Sequence, residues 1–455
     1  METEQIGLLA LYVLLAGIVS LVLCRAYRPR HQFIAFLISL WILAEGILDT
    51  DAFVIPLGKE AGFELQFDRI LLLVFGVILV QRVLWVTMKR LQWQSLWYEV
   101  VLFVAYLALL GVLIYHQRTS TLPSRDVLLI FSGWLTFLCF YFVVREYADD
   151  GLVRTILASI LCVGLASSVV AVIQFAYDPQ FLHVGSMREA FSGRVRSTGV
   201  FREEFSHSYF LIPGIMVAYT TIKRPVVRVV TLLLLLTGIF LSFHRMSWIL
   251  AFIVLIAMGV FSGSARAWKY LGWILTGAAV VLILAVVGAD YIGQASDLVY
   301  QRVTEDTMSG RMRIYDVALK RIQSVWLTGV GSEKTNAYYL DMTLAGWKVM
   351  ASGEIGGLHN LYLRLAYMYG IPTACLFAAF LVSLAAFYWK RAREKYVAFL
   401  AAAYGSVFIC ANLTNALIFA ADAALLLAII AGLAAGMECR GIAFGWNERL
   451  FRLQG

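Results

Sequence analysis

Charge is scarce in this chain. Asp, Glu, Lys and Arg supply 15% of its 455 residues and hydrophobic types 61%, and the mean hydropathy is +0.80. Soluble domains run at roughly 45–50% apolar and 25% charged. No aqueous core hides so much apolar surface, so a soluble globular domain is excluded and lipid must solvate the chain. A disulfide framework is missing as well. The six cysteines, Cys24, Cys139, Cys162, Cys375, Cys410 and Cys439, lie in or at the ends of apolar runs. None falls in a long loop and none forms a CxxC pair. The two long loops described below carry no DxD-like acidic pair, and no His/Cys cluster has ligand spacing. The sequence therefore supports neither a metal site nor another cofactor.

What is present is a succession of apolar runs of about 17–25 residues, the length of a bilayer-spanning helix. Inside a bilayer every backbone N–H and C=O must be paired within the protein, which leaves helices or a closed barrel. The runs do not alternate as barrel strands do, so the expected fold is an all-α polytopic transmembrane bundle. Candidate spans lie near 6–24, 32–48, 69–86, 97–115, 127–144, 153–176, 207–222, 226–243, 247–261, 270–288, 359–388, 396–411 and 416–436, about 12–14 depending on where neighbouring runs are divided. The N-terminus lacks a basic segment and a cleavage site, so the first run reads as a retained helix. No internal repeat or low-complexity linker interrupts the pattern.

The formal net charge of +8 would suggest nucleic acid in a soluble protein. Here the basic residues fall in short loops between apolar runs, where they set topology. Arg25, Arg28 and Arg30, then Lys89 and Arg90, Lys223, Arg224 and Arg228, Arg266 and Lys269, and Lys390, Arg391, Arg393 and Lys395 mark the cytoplasmic side. The tail with Arg440, Arg449 and Arg452 joins them. The expected organisation is N-terminal helices over 1–176, a first long outer loop over 177–206, central helices over 207–288, a large outer loop over 289–358, and C-terminal helices with a cytoplasmic tail over 359–455. Helical periodicity between Asp297 and Trp326 suggests two amphipathic helices on the membrane surface, broken near Ser309-Gly310.

Chemistry concentrates on the outer side. The first long loop holds Arg188, Arg194, Arg196 and Arg202, where topology does not require basic residues. Guanidinium groups grip phosphate oxygens through paired bonds and do not deprotonate. A solvated loop with incidental arginines is the plainer account. The turn Ser242 to Ser247 places His244 and Arg245 between two apolar runs, either facing a polar cavity or anchored at the interface. Arg311 and Arg313 follow Ser309-Gly310 in the large loop, as ligand groups or as the basic face of a surface helix. His359 and Asn360 stand at the start of an apolar run. There a histidine either exchanges a proton near neutral pH or joins Asn360 in capping the helix.

Taken together, these segments resemble the O-antigen ligase and O-antigen/exopolysaccharide polymerase superfamily of bacterial inner-membrane glycosyltransferases. Arg196-Ser197-Thr198-Gly199-Val200-Phe201 looks like its R-x-x-G-x-F motif, and Arg245 stands as the arginine of its Ser-Arg turn. Gly310-Arg311 with Tyr315, then Gly329-Val330-Gly331, resembles its R-x-x-x-aromatic helix and G-x-G turn. His359-Asn360 followed by Gly370 and Thr373 resembles its H-N-x9-G-x-x-[GTY] signature. Two positions depart from the pattern: Phe205-Ser206-His207 stands where the family has Pro-Asn, and Trp326-Leu327 where it tends to have Pro.

The resemblance implies metal-independent transfer of a glycan from an undecaprenyl diphosphate carrier to an acceptor sugar hydroxyl on the periplasmic face of the inner membrane. It implies a polymerase, or alternatively a ligase delivering the finished chain to lipid A-core. Its partners are then the lipid-linked donor, the glycan or lipid A-core acceptor and membrane lipids. The residues expected to act in catalysis are His359, Arg196 and Arg245, with Arg194, Arg311, Arg313 and Asn360 binding substrate. A transporter for the lipid-linked glycan is the alternative of another class. It would need inverted repeats and polar groups at the membrane midplane, which the sequence does not contain.

Overall fold

A computed structural model describes residues 29–48, 55–56, 64–65, 67–88, 96–182, 189–191, 194–261, 307–332, 341, 358–415, 421–442, 444 and 446. Helices dominate: α1 (Pro29–Leu48), α2 (Phe67–Met88), α3 (Trp97–Arg118), α4 (Ser124–Tyr147), α5 (Asp150–Ala176), α6 (Glu204–Thr221), α7 (Pro225–Leu241), α8 (Arg245–Phe261), α9 (Thr307–Ser324), α10 (Leu361–Tyr369), α11 (Ile371–Trp389), α12 (Tyr396–Ala411) and α13 (Ala421–Cys439). Two short antiparallel pairs accompany them, β1 (Ile55–Pro56) with β2 (Glu64–Leu65) and β3 (Glu189–Phe191) with β4 (Arg194–Val195). The chain is an all-α membrane protein. Helices α3, α4, α5 and α11 are long and apolar enough to cross a bilayer by length and composition.

Most apolar runs expected from the sequence are helices with closely similar limits. The runs near 6–24 and 270–288 lie outside the described residues. Two expectations need correction. The run over 359–388 is two helices, because Gly370 adopts φ +85° between α10 and α11. A Cβ there would lie 2.2 Å from the Leu327 carbonyl oxygen, so a positive φ and a close backbone approach both select glycine. The break expected at Ser309-Gly310 is absent, since α9 runs unbroken through both residues. Continuous backbone bonding outweighs the modest cost of one interior glycine.

Packing follows from small residues. Helix α13 lies against α4 so closely that a Cβ on Gly432 would come within 2.6 Å of the Tyr141 carbonyl oxygen, and one on Gly436 within 2.2 Å of the Arg145 carbonyl oxygen. These glycines, four apart on one helix face, let two backbones meet as small-xxx-small pairs do in membranes. Helix α5 packs on α1, α6 and α7, and α11 on α3 and α12.

The basic-loop end is closed by a buried polar clamp. Glu99 on α3 meets Arg145 on α4 at 2.6 Å with side chains 1% and 6% exposed. Tyr141 donates to Glu99 at 2.7 Å, and Tyr98 joins Tyr141 at 3.1 Å and Tyr388 of α11 at 2.7 Å. Glu99 also accepts from the Leu96 N–H at 2.8 Å, at the start of its own helix. Arg391 and Lys395 bind Glu438 of α13 at 2.9 and 2.7 Å. Glu99, Arg145, Arg391, Lys395 and Glu438 are thus all paired, which is the condition for burying charge at all.

Candidate functional site

The opposite end gathers the loops that follow α5, α7 and α12 and precede α10. Arg196 is held first. Its guanidinium meets Glu204, on the first turn of α6, at 2.9 Å, with side chains 20% and 6% exposed. The carboxylate orients the arginine and offsets part of its charge. The loop behind it is pinned to α5. Gln174 accepts from the N–H groups of Thr198 and Gly199 at 3.0 and 2.9 Å and donates to the Gly199 carbonyl at 2.8 Å. Ser167 accepts from the Val200 N–H at 3.1 Å. Gly199 sits at φ +59°, where a Cβ would overlap Ser167 Oγ at 2.0 Å. The glycine of the R-x-x-G-x-F stretch is therefore needed for backbone packing.

His207 stands where the resembled family has Pro-Asn. Fully buried, it bridges Ser167 Oγ at 2.8 Å and the Gly238 carbonyl at 3.2 Å. This side chain ties α5, α6 and α7 together beneath the Arg196 loop. The Ser197 N–H then donates to the Leu241 carbonyl at 3.1 Å, which fastens that loop to the turn following α7.

That turn is Ser242 to Ser247. Phe243 takes φ +52°, an uncommon conformation for a bulky residue. Its ring lies among Phe175, Phe240 and Trp248, with centroids 6.1, 6.2 and 6.5 Å away, and Trp248 donates to the Ile239 carbonyl at 3.0 Å. The left-handed step directs the chain into His244 and Arg245, the latter partly exposed at the first residue of α8. His244 Nδ1 accepts from the Ser247 N–H at 3.3 Å. Its Nε2 lies 3.0 Å from the Asn415 side-chain amide nitrogen, and the Tyr209 ring makes an edge-to-face contact with the imidazole, centroids 5.2 Å apart.

Asn415 belongs to a turn, Asn412 to Asn415, that follows α12. The same turn holds the start of α10. The Leu361 N–H donates to the Asn412 carbonyl at 2.9 Å, and Asn360 Nδ2 donates to the Leu413 carbonyl at 3.2 Å. Asn360 Oδ1 accepts from the Leu363 N–H at 3.0 Å, which makes Asn360 the N-cap of α10. His359, half-buried, precedes it and is not the capping residue. The structure thus brings Arg196, His244-Arg245 and His359-Asn360 to one end through a continuous set of contacts.

The remaining expected site residues are carried on other elements. Arg194 lies in β4, and Arg311 and Arg313 lie in α9 near its start; their side chains are outside the described part. The Gly329-Val330-Gly331 turn docks on the far end of α10, where the N–H groups of Val330 and Gly331 donate to Tyr367 and Met368 carbonyls at 2.9 and 2.8 Å. His116 reaches the Thr328 carbonyl at 2.9 Å. Asp341 accepts from Tyr367 at 2.7 Å and pairs with Arg321 at 3.3 Å. These contacts anchor the large loop on α10. Among the described residues no group of three or more His, Cys, Asp or Glu side chains is placed to hold a metal ion. Asp49-Thr50-Asp51, a DxD triplet outside the two long loops, lies outside the described residues.

Sequence reasoning missed Ser167, Gln174, His207, Asn412 and Asn415. A polar side chain inside a spanning run is a signal available in sequence, because lipid offers it no partner, and Ser167 carries it; Gln174 and His207 stand at run ends, where the signal is weaker. Asn412 and Asn415 flank a Leu-Thr pair between two apolar runs, and such a turn passes for an ordinary loop.

Chemically, one end of the bundle offers a guanidinium oriented by a carboxylate, Arg196, a second at the start of α8, Arg245, and a histidine just before α10, His359. That set suits binding of a phosphate-bearing ligand and movement of a proton. Residues 230–378 match the family model described as O-antigen ligase, and this match supports the O-antigen ligase/polymerase superfamily. The matched segment includes the turn with Arg245, all of α9, the G-x-G turn and the start of α10 with His359 and Asn360. Arg196 lies before it. No curated protein sequence matches the chain.

Proposed function

We propose that this protein transfers a glycan from an undecaprenyl diphosphate carrier to a sugar hydroxyl on the periplasmic face of a bacterial inner membrane. The observation that carries the reading is the convergence of Arg196, Arg245 and His359 at the end of the bundle opposite the basic loops. In the reaction the acceptor oxygen attacks the anomeric carbon of the donor sugar. The bond from that carbon to the diphosphate breaks, and the leaving group departs as a lipid diphosphate. Arg196 and Arg245 stabilise the departing charge, and His359 takes the acceptor hydroxyl's proton. The guanidinium of Arg196 is already oriented by Glu204, so little reorganisation is needed when charge develops. Arg194, Arg311 and Arg313 bind substrate around this centre.

The acceptor we favour is a second lipid-linked repeat, which makes the enzyme a polymerase. The description of the matched family as O-antigen ligase favours a second reading, in which the finished chain goes to lipid A-core. Deleting the gene and separating surface glycans by size distinguishes them. Single repeats attached to lipid A-core indicate a polymerase, whereas full-length chains retained on the lipid carrier indicate a ligase.

The test of the chemistry is Arg196. Lysine keeps the charge but not the planar fork, so Arg196→Lys should lose most activity. Arg196→Ala should lower the transfer rate roughly a hundred- to thousand-fold, as expected for loss of one preorganised donor to a developing charge. The measurement is transfer rate per inserted molecule at matched expression. A wild-type rate in Arg196→Ala would remove the phosphate clamp from the reading.

A further inference from the structure

The polar turn between α12 and α13 lies outside the matched segment and carries none of the residues assigned above, yet it touches both sides of the proposed site. Asn412 and Leu413 hold the His359-Asn360 segment through their carbonyl oxygens at 2.9 and 3.2 Å. Asn415 reaches the other way, to His244 at 3.0 Å and Tyr209 Oη at 3.4 Å. The turn thus links the residue that precedes Arg245 to those that follow His359. We propose that Asn415 is a positioning residue, which holds the His244-Arg245 turn at a fixed place relative to His359. This rests on the glycan-transfer reading above and names a further residue of that same site.

The physical argument starts from the imidazole. The Ser247 N–H can only donate, so Nδ1 of His244 is the acceptor and the ring proton sits on Nε2. An amide presents both an oxygen and a nitrogen and takes the orientation its partners demand. The amide nitrogen of Asn415 stands 3.0 Å from Nε2; two donors cannot face each other, so a half-turn of the amide, which exchanges its oxygen and nitrogen, gives the Nε2 proton its acceptor. With both ring nitrogens committed to holding contacts, His244 serves as a strut and leaves the base role to His359. Tyr209 packs on the ring in an edge-to-face contact and limits its swing. Tyr209 on α6 and the adjoining Arg245 are ionisable groups beside it. Arg245 follows His244 directly and starts α8, so a displaced ring displaces the guanidinium.

The distance that matters is the one between the arginine that receives the leaving diphosphate and the base on the acceptor. Displacing a catalytic group by about 1 Å costs on the order of a hundredfold in rate. Asn415→Ala removes the amide, while all backbone contacts of the turn remain available. It should lower turnover by up to about a hundredfold with little change in donor affinity or melting temperature. Asn415→Asp is isosteric and keeps an acceptor for the Nε2 proton. Its carboxylate also favours the imidazolium, which has lost the Nδ1 acceptor that Ser247 needs. This variant should recover activity only at more alkaline pH, with the acidic limb of its rate profile moved upward.

The experiment uses the full chain in lipid nanodiscs. Turnover is measured on lipid-linked glycan extracted from the native host, and binding is measured with undecaprenyl diphosphate alone. Lowered turnover in Asn415→Ala with binding held, together with an alkaline-shifted profile in Asn415→Asp, supports the positioning role. Wild-type rates and profiles in both variants overturn it, as does a parallel loss of undecaprenyl diphosphate binding and turnover. Should Asn415→Ala fail to fold, Asn415→Asp alone decides through its profile. Two controls run alongside: no glycan transfer by the unaltered chain overturns the transfer reading, and full activity in His359→Asn removes the base from it, whatever Asn415 does.

Discussion

Whether His359 acts as a base or only supports a helix end is decided by which side chain caps α10. The cap is Asn360, whose Oδ1 accepts the Leu363 N–H while its amide nitrogen donates to the Leu413 carbonyl. The two neighbouring residues therefore make separable predictions. Asn360→Ala should lower stability by about 1 kcal/mol, the usual cost of losing a cap, plus the tie to the 412–415 turn. His359→Asn should leave the melting temperature and undecaprenyl diphosphate binding near wild type and lower the rate roughly a hundred- to ten-thousand-fold. Thermal melts in detergent and initial rates on the same preparations read both effects. Full activity in His359→Asn would end the base assignment. The chemical residues were legible in sequence because Arg196, Arg245, His359 and Asn360 sit in short motifs of fixed spacing. The residues that hold them were not. Gln174 and Ser167 act from a spanning helix on a loop about 25–30 residues away in sequence, and Asn415 acts on a histidine 171 residues away. Pairings of that range leave no local pattern.

At the scale of elements, hydropathy alone located the helices, because lipid forces each apolar run to satisfy its own backbone. Hydropathy does not report a backbone that turns while staying apolar, which is why the division of 359–388 at Gly370 was not seen. It also does not report which helices meet. That is written instead in small residues, and Gly432 and Gly436 were available as a G-x-x-x-G pattern on α13. Because a Cβ on Gly436 would sit 2.2 Å from the Arg145 carbonyl oxygen, one of the two backbones must move. Gly436→Ala should destabilise the α4–α13 contact by roughly 1–3 kcal/mol, the range for overpacking a filled interface. The same variant should keep its catalytic rate per folded molecule, since Gly436 stands at the clamp end of α13, remote from the 412–415 turn. The check is a detergent melting curve beside a rate normalised to folded protein. A normal melting temperature would show that the helices part without cost and that the close approach is not a determinant of stability.

Across the whole molecule the two ends differ in what their polar groups do, and this difference bears on sidedness. At one end Glu99, Arg145, Arg391, Lys395 and Glu438 are consumed in pairs that join α3 to α4 and the α11–α12 loop to α13. At the other, partly exposed Arg196, Arg245 and His359 cluster over turns. The short loops at the first end carry Lys223, Arg224, Lys390 and Arg393, and an excess of Lys and Arg marks cytoplasmic loops. On the reading proposed above, the site would face away from the cytoplasm, where a donor already carried across the membrane would meet it. Three exposed positions test this in a cysteine-free background: Thr121 after α3, Lys320 on α9, and Arg393 between α11 and α12. In intact spheroplasts an impermeant thiol reagent should label Thr121→Cys and Lys320→Cys, and should reach Arg393→Cys only after the membrane is opened. Labelling of Arg393→Cys in sealed cells, with Thr121→Cys and Lys320→Cys protected, would invert the assignment. The site would then face the cytoplasm, and a donor delivered on the outer face would have no route to Arg196 and Arg245. A result in which Thr121→Cys labels and Lys320→Cys does not would separate α9 from the outer surface. Arg311 and Arg313 would then be removed from the substrate-binding set while Arg196, Arg245 and His359 stayed in place.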